Sequence, residues 1–310
     1  MAVDQSNTVG VDIGGTFIKG VRWSDRVEAE RQVTRPENLT AWVQATSDLV
    51  AELATSTTVG VGVGVAGLVR WPSGELLWAP HLTGTNVALR ELIAGSTDLP
   101  LLVDNDANCA ALAEARIGAA RGARHAIVLT FGTGIGAGLL QDGKVYRGVS
   151  YAGEAGHMTM VPFGDHCACG RRGCWETMVS GRRLDQEAAR LARDPASTVA
   201  RWAGSGMADG THLVEAAEAG DIAARSALAE AGGWLGRGIA NLVALLDPEL
   251  VVVGGAAAGA GEWLLSPARR ELAASLEGGP YRLPPPIVVA AAGPLAGAIG
   301  AALLSSDANQ

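Results

Sequence analysis

Thr8-Val-Gly-Val-Asp-Ile-Gly-Gly-Thr-Phe-Ile-Lys-Gly-Val-Arg-Trp23 decides the fold. Thr8–Ile13 is an apolar strand, Gly14-Gly15-Thr16 turns the chain, and Phe17–Trp23 runs back. The same phrase recurs later: His125–Phe131 is an apolar strand, Gly132-Thr133-Gly134-Ile135-Gly136 a glycine turn, and Ala137–Leu140 the returning strand. Two rounds of strand, glycine turn and strand predict a duplicated α/β architecture with a cleft between its halves.

The intervals fit that plan. Leu39–Leu53 has helical spacing, with Leu39, Trp42, Val43, Leu49, Val50 and Leu53 on one side. Val59–Val65 and Pro100–Val103 are buried strands, the second ending in Asp104-Asn105-Asp106, and Cys109–Ile117 is an alanine-rich helix. Helices follow at Arg182–Ala192, Leu213–Ala219 and Ala223–Leu246, and the strand Leu250–Val253 ends at Gly254-Gly255. Ile287–Leu304 is uncharged for 18 residues, but Gly293-Pro294 divides it into a strand, Ile287–Ala292, and a short helix, Leu295–Leu304. Its alanines and glycines add little hydrophobicity, which disfavours a membrane span.

The 310 residues carry a net charge of −8, which argues against a nucleic-acid binder, since that would need a basic face. Met1–Thr8 is polar and shows no secretory signal, so a cytoplasmic protein is expected. Gly62-Val-Gly-Val-Ala-Gly67 fits the dinucleotide fingerprint, but Leu68-Val-Arg-Trp-Pro72 does not open a helix and no carboxylate follows at the ribose position. A Walker-A pattern is absent.

Glu154-Ala-Gly-His157 followed by Cys167-Ala-Cys-Gly-Arg-Arg-Gly-Cys174 is the most specific feature. His157, Cys167, Cys169 and Cys174 make a closed set of one imidazole and three thiolates, the donor set of structural zinc. Gly170 and Gly173 let the loop fold back, and His166 competes with His157 as the nitrogen ligand from an awkward adjacent position. The plain reading is a surface loop with reduced cysteines. Cys109, in its alanine-rich helix, reads as a small core residue.

Asp12-Ile-Gly-Gly-Thr16 with Lys19, and Gly132-Thr-Gly134, each offer backbone amides and a hydroxyl to phosphate oxygens. Either alone is as well explained by turn chemistry.

Taken together, Asp12–Thr16, Asp104-Asn-Asp-Ala-Asn108, Gly132–Gly136, Glu154-x-x-His157, Cys167-x-Cys169-Gly-x-x-Gly-Cys174 and Trp175-Glu176 resemble the ROK sugar kinases, with bacterial glucokinases of that family closest in look. The resemblance runs from Val9 to Ala302. It implies the actin-like ATPase (ribonuclease H-like) fold, with a small domain of residues 1–110 plus 295–310 and a large domain of 111–294 holding the zinc loop at 157–174. ROK repressors carry an N-terminal helix-turn-helix, for which Asp12 leaves no room.

The resemblance implies that Asp106 is the general base toward a hexose 6-hydroxyl, although an aspartate after a strand equally suits a helix N-cap. It places Gly67, Asn105, Asp106, Glu154, His157 and Glu176 at the sugar. It places Asp12, Gly14, Gly15, Thr16, Lys19, Gly132, Thr133 and Gly134 at the ATP phosphates, and Gly254 and Gly255 at the adenosine. Magnesium would arrive with ATP, with Asp12 nearest. A homodimer or homotetramer is expected. Pro80-His81-Leu82-Thr83 departs from the Pro-Asn of many family glucokinases, and histidine stands there in some N-acetylmannosamine kinases. Glucose ranks first as substrate, then N-acetylmannosamine and N-acetylglucosamine. A sugar-binding ROK protein without catalysis is the further alternative, and donors other than ATP stay open.

Overall fold

The computed structural model of the protein describes residues 7–79 and 85–308, and His81 lies outside them. Two compact units emerge. One comprises Met1–Arg124, Ala137–Gly153 and Ala290–Gln310; the other comprises His125–Gly136 and Glu154–Val289. The first reaches beyond residues 1–110 plus 295–310 because the helix after Asn105 runs unbroken to Ile117 and Gly138 packs on its Ala107 and Ala111.

In the first unit β1 (Asn7–Ile13), β2 (Phe17–Trp23) and β3 (Val27–Thr34) form an antiparallel meander. Helix α1 (Leu39–Leu53) starts at Asn38, whose side chain accepts the Ala41 amide at 2.8 Å. It buries Trp42, Leu49, Val50 and Leu53 against the sheet core. Strand β4 (Thr58–Val65) lies parallel to β1, and the hairpin β5 (Leu68–Arg70) and β6 (Glu75–Trp78) follows. After α2 (Leu89–Ala94), β7 (Leu101–Asn105) joins β4 in parallel and hands straight over to α3 (Asp106–Ile117). The sheet order is β3-β2-β1-β4-β7.

A second sheet repeats this order. Strands β8 (Ala126–Phe131), β9 (Ile135–Gln141) and β10 (Lys144–Val145) come first in the chain. Helices α4 (Trp175–Met178), α5 (Gly181–Leu191), α6 (Thr198–Ala203), α7 (Gly210–Glu218) and α8 (Ile222–Leu246) precede β11 (Leu250–Gly255). Then come α9 (Glu262–Ser275), β12 (Ile287–Val289) and α10 (Ala296–Ala308). The order is β10-β9-β8-β11-β12, with β8, β11 and β12 parallel.

Helix α10 belongs to the first unit and lies directly on its strands. A Cβ at Gly10 would overlap the Ala298 carbonyl, and one at Gly62 the Ala301 carbonyl. A Cβ at Gly300 would overlap the Cys109 carbonyl of α3. Of the glycines that mimicked a dinucleotide fingerprint, Gly62 is therefore a seat for α10. The uncharged stretch 287–304 resolves into β12, a break at Gly293 and α10. Among the described residues no helix is long and apolar enough to cross a membrane.

Helix α8 meets α9 in the same way, where a Cβ at Gly236 would overlap the Ala268 carbonyl, whereas one at Gly233 would meet nothing within 4 Å. Gly236→Ala should cost about 1–3 kcal/mol by overpacking. Gly233→Ala should stabilise by about 0.5–1 kcal/mol through helix propensity. Thermal melting of the two variants reads the difference, and equal shifts would contradict the close packing.

Candidate active site

Strand ends carry the polar residues of the first unit. Asp12 closes β1 opposite Lys19 of β2, and its carboxylate faces the first turn of α10, where a Cβ at Gly297 would lie 2.6 Å from Asp12 Oδ2. Lys19 Nζ donates to the Pro294 carbonyl at 3.2 Å. Between them Gly14, Gly15 and Thr16 form a tight turn: the Gly14 amide donates to the Phe17 carbonyl at 3.0 Å, and Arg35 donates to the Gly15 carbonyl at 2.9 and 3.1 Å. Gly15 and Thr16 are exposed.

At the junction of β7 and α3 the structure separates two roles that the sequence left joined. Asn105, not Asp106, is the N-cap: its Oδ1 accepts the amides of Ala107 at 2.8 Å and Asn108 at 3.2 Å. Its Nδ2 donates to the Gly67 carbonyl at 3.1 Å, which brings Gly67 to the same junction. Asp106 is the first helical residue, half-buried, with Oδ1 accepting the Ala107 amide at 2.9 Å.

Burial pushes the Asp106 carboxyl up from its ordinary pKa; the Ala107 amide opposes this and the Asp104 charge adds to it. Burial also pushes Asp12 up, to about 7, with the Asp106 charge adding and Lys19 opposing. Two acids, Asp12 and Asp106, thus feel one another across the ends of β1 and α3.

The second unit holds the other candidates. A short 3-10 turn, Ala155–His157, follows Glu154 and presents the imidazole of His157. His157 Nδ1 lies 3.6 Å from Cys167 Sγ, and Cys169 Sγ lies 3.6 Å from Cys174 Sγ. Ligand atoms of His157, Cys167, Cys169 and Cys174 all fall within 4.8 Å of one another. Sulfur separations of that size suit four donors around one ion at Zn–S distances of about 2.3 Å. His166 turns instead toward Arg172, so His157 is the nitrogen of the cluster.

The loop is built to close. The Gly173 amide donates to the Asp165 carbonyl at 2.8 Å and the Met160 amide to the Gly173 carbonyl at 2.8 Å. Cys174 leads into α4, whose Trp175 is fully buried and donates from Nε1 to the Trp234 carbonyl at 2.8 Å. Glu176 stands one residue further, 3.6 Å from His157 Nδ1 and 2.9 Å from Cys167 Sγ. Glu154 Oε2 lies 4.0 Å from the other ring nitrogen, Nε2. Glu154, His157 and Glu176 therefore form one polar group beside the cysteines.

The second glycine turn is also organised. The Gly132 amide donates to the Gly134 carbonyl at 3.1 Å, and the Gly181 amide at the start of α5 donates to the Gly132 carbonyl at 2.9 Å. Gly132 and Thr133 are exposed, and Gly134 faces the Glu176 carboxylate. Gly254 and Gly255 pair with Thr130 and Phe131, which places the end of β11 beside this turn. Gly255 has φ of 83°, and a Cβ there would overlap the Phe131 carbonyl.

The ROK family profile matches residues 8–308. The chain belongs to the ROK family. It is 35% identical to the glucokinase of Streptomyces coelicolor, over 97% of this chain and 98% of that one. Among solved structures it resembles a ROK family glucokinase from Streptomyces griseus in complex with glucose and AMPPNP, with a TM-score of 0.90 and 35% identity over 97% of this chain and 100% of that one. The ROK hexokinase from Thermus thermophilus superimposes with a TM-score of 0.77 at 32% identity, covering 98% and 99%. The fold is the actin-like ATPase fold of ROK sugar kinases.

Sequence reasoning on this ROK chain missed one polar element, the ion pair of Asp104 with Arg147. Arg147 carried no signal because its partner lies 43 residues away.

Folding raises the Asp12 pKa from 3.8 to about 7, so ionising this group opposes folding. Its contribution to stability is intact below about pH 4 and is lost as pH rises through 7. In magnesium- and nucleotide-free buffer, Asp12→Asn should therefore melt above the parent at pH 8, with the gap closing toward pH 4. A gap independent of pH would contradict the assignment.

Proposed function

We propose that this chain is an ATP-dependent hexose kinase that phosphorylates the 6-hydroxyl of glucose. One observation carries the reading. Asp106 stands at the first turn of α3 with its capping duty taken over by Asn105, in a chain similar along 97% of its length to a glucokinase crystallised with glucose and AMPPNP.

In this reading Asp106 accepts the proton of the sugar hydroxyl as that oxygen attacks the γ-phosphorus. An upward-shifted carboxyl suits the task, since a base titrating nearer neutrality takes the proton more readily. Asn105 and Gly67 support the sugar beside it. Glu154, His157 and Glu176 receive sugar hydroxyls, with carboxylates accepting and His157 Nε2 donating. Gly14, Gly15, Thr16 and Lys19 hold phosphate oxygens, as do Gly132, Thr133 and Gly134 next to the N-terminus of α5. Gly254 and Gly255 receive adenosine. Magnesium supplies charge neutralisation for the ATP phosphates, with Asp12 as its protein carboxylate.

His157 Nδ1, Cys167, Cys169 and Cys174 hold a structural zinc, which leaves Nε2 for the sugar and fixes the ring's tautomer and angle. The ligand geometry within 4.8 Å and the three thiolates support zinc over a harder ion. In this reading the protein works in the cytoplasm as a dimer or tetramer. His81 in place of the usual asparagine favours N-acetylmannosamine as the second substrate reading, ahead of N-acetylglucosamine and of a non-catalytic sugar-binding role.

Purified protein should contain about one zinc per chain, as four protein ligands predict. With magnesium-ATP it should turn over glucose with higher kcat/KM than mannose, N-acetylmannosamine or N-acetylglucosamine. Asp106→Asn should lower kcat by about 10²–10⁴-fold. N-acetylmannosamine as the best substrate would replace glucose, and full activity of Asp106→Asn would remove the general base. Cys169→Ser should lose zinc and raise the sugar KM although Cys169 touches no sugar; zinc loss with an unchanged KM would disconnect the metal from the pocket.

A further inference from the structure

We infer that Arg147 is a positioning residue for phosphoryl transfer, acting through the buried Asp104 carboxylate to fix the strand end that carries Asn105 and Asp106. The inference rests on Asp106 as the general base and concerns what holds it in place.

Asp104 is 2% exposed and sits two residues before Asp106 at the end of β7. A buried carboxylate is costly unless charge and hydrogen bonds both compensate it. Here both oxygens are occupied. Oδ1 accepts the Asn105 amide at 2.7 Å and Asn108 Nδ2 at 3.0 Å, which ties the strand end to the first turn of α3. Oδ2 accepts Arg147 Nε and Nη2, each at 2.7 Å.

The guanidinium is itself held on every side. Its Nη1 donates to the Val145 carbonyl at 3.3 Å, and its Cζ lies over the Trp71 ring, 4.1 Å from the centroid. The Trp71 amide in turn donates to Ser150 Oγ at 3.3 Å. Three segments meet at this one ion pair: the turn after β5, the stretch 145–150, and the junction of β7 with α3. A lysine would keep the charge but not the fork or the flat stack.

Without Arg147, Asp104 Oδ2 loses both donors while Oδ1 remains tied to the junction. The carboxylate must then swing toward other donors, and Asn105 and the first turn of α3 move with it. The contacts of Arg147 are with Asp104, Val145 and Trp71, so its proposed role is positioning rather than direct catalysis. Its removal acts on geometry at Asp106, and small misplacements of a reacting group are expensive in rate.

The test compares Arg147→Met, Arg147→Lys, the double variant Asp104→Asn with Arg147→Met, and Asp106→Asn, each checked by thermal melting and assayed with glucose and magnesium-ATP. Arg147→Met should lower kcat by up to about 10²-fold, the size seen for a misplaced group, and Arg147→Lys by less. The informative result is rescue. Adding Asp104→Asn removes the uncompensated charge, so the double variant should regain activity over Arg147→Met alone. A packing role on Trp71 would show no such rescue. A kcat of Arg147→Met within about twofold of the parent, or a double variant no better than the single one, overturns the inference; both thresholds are small beside the misplacement effect. If the methionine variant does not fold, Arg147→Lys carries the test, and parental kcat there overturns it. Asp106→Asn keeps the two readings apart. Its full activity defeats the general base, whereas an inactive Asp106→Asn beside a normal Arg147→Met defeats only the positioning role.

Discussion

Backbone-to-backbone seating of α10 on β1 and β4 is the constraint from which the chemistry of the first unit follows. Gly10 and Gly62 leave no side-chain layer beneath the helix, and Gly300 does the same against α3. Interiors are close-packed, so such seats admit little sliding. With α10 fixed on β1, its first turn meets the Asp12 carboxyl group. With α3 fixed against α10, Asp106 stays at the end of β7, near enough for its charge to raise the Asp12 pKa. The small residues in these helix seats thus help to set the positions of the two acids.

The second unit uses the same device for a different end. Gly232 and Gly236 let α8 approach α9, and Gly238 leaves space for the ring of Trp175. That indole is anchored on the Trp234 carbonyl, immediately after Cys174 and immediately before Glu176. The cysteine loop is therefore pinned at one end by a buried aromatic ring before any metal is considered. A metal ion would close the loop on His157, and the group Glu154, His157 and Glu176 would gain a fixed orientation from both sides.

Much of this was legible in the chain itself, for identifiable reasons. Strands β1, β4, β8 and β11 are apolar runs bounded by glycine, and their reading holds to within a residue or two. Strand β3 was missed because Glu28, Glu30 and Arg31 give it no apolar face; it is an edge strand held by the ladder to β2. Helix α9 was missed because Pro267 interrupts its pattern, although its packing on α8 tolerates the proline. Helix α3 starts at Asp106 rather than at Cys109, directly after β7, which puts the cap at Asn105 instead of Asp106. The cysteine cluster was readable because its ligands lie close in sequence. The Asp104–Arg147 pair was not, because tertiary structure alone joins its partners.

In the proposed function these strand-end carboxylates and glycine turns serve phosphoryl transfer from ATP to a hexose rather than to water. Phosphorus NMR of the reaction with magnesium-ATP and glucose tests it most directly. ADP and a phosphomonoester are expected in equal amounts, with the new phosphorus coupled to the two protons on C6 of the sugar. Release of inorganic phosphate alone, or a phosphoester on another carbon, would contradict it.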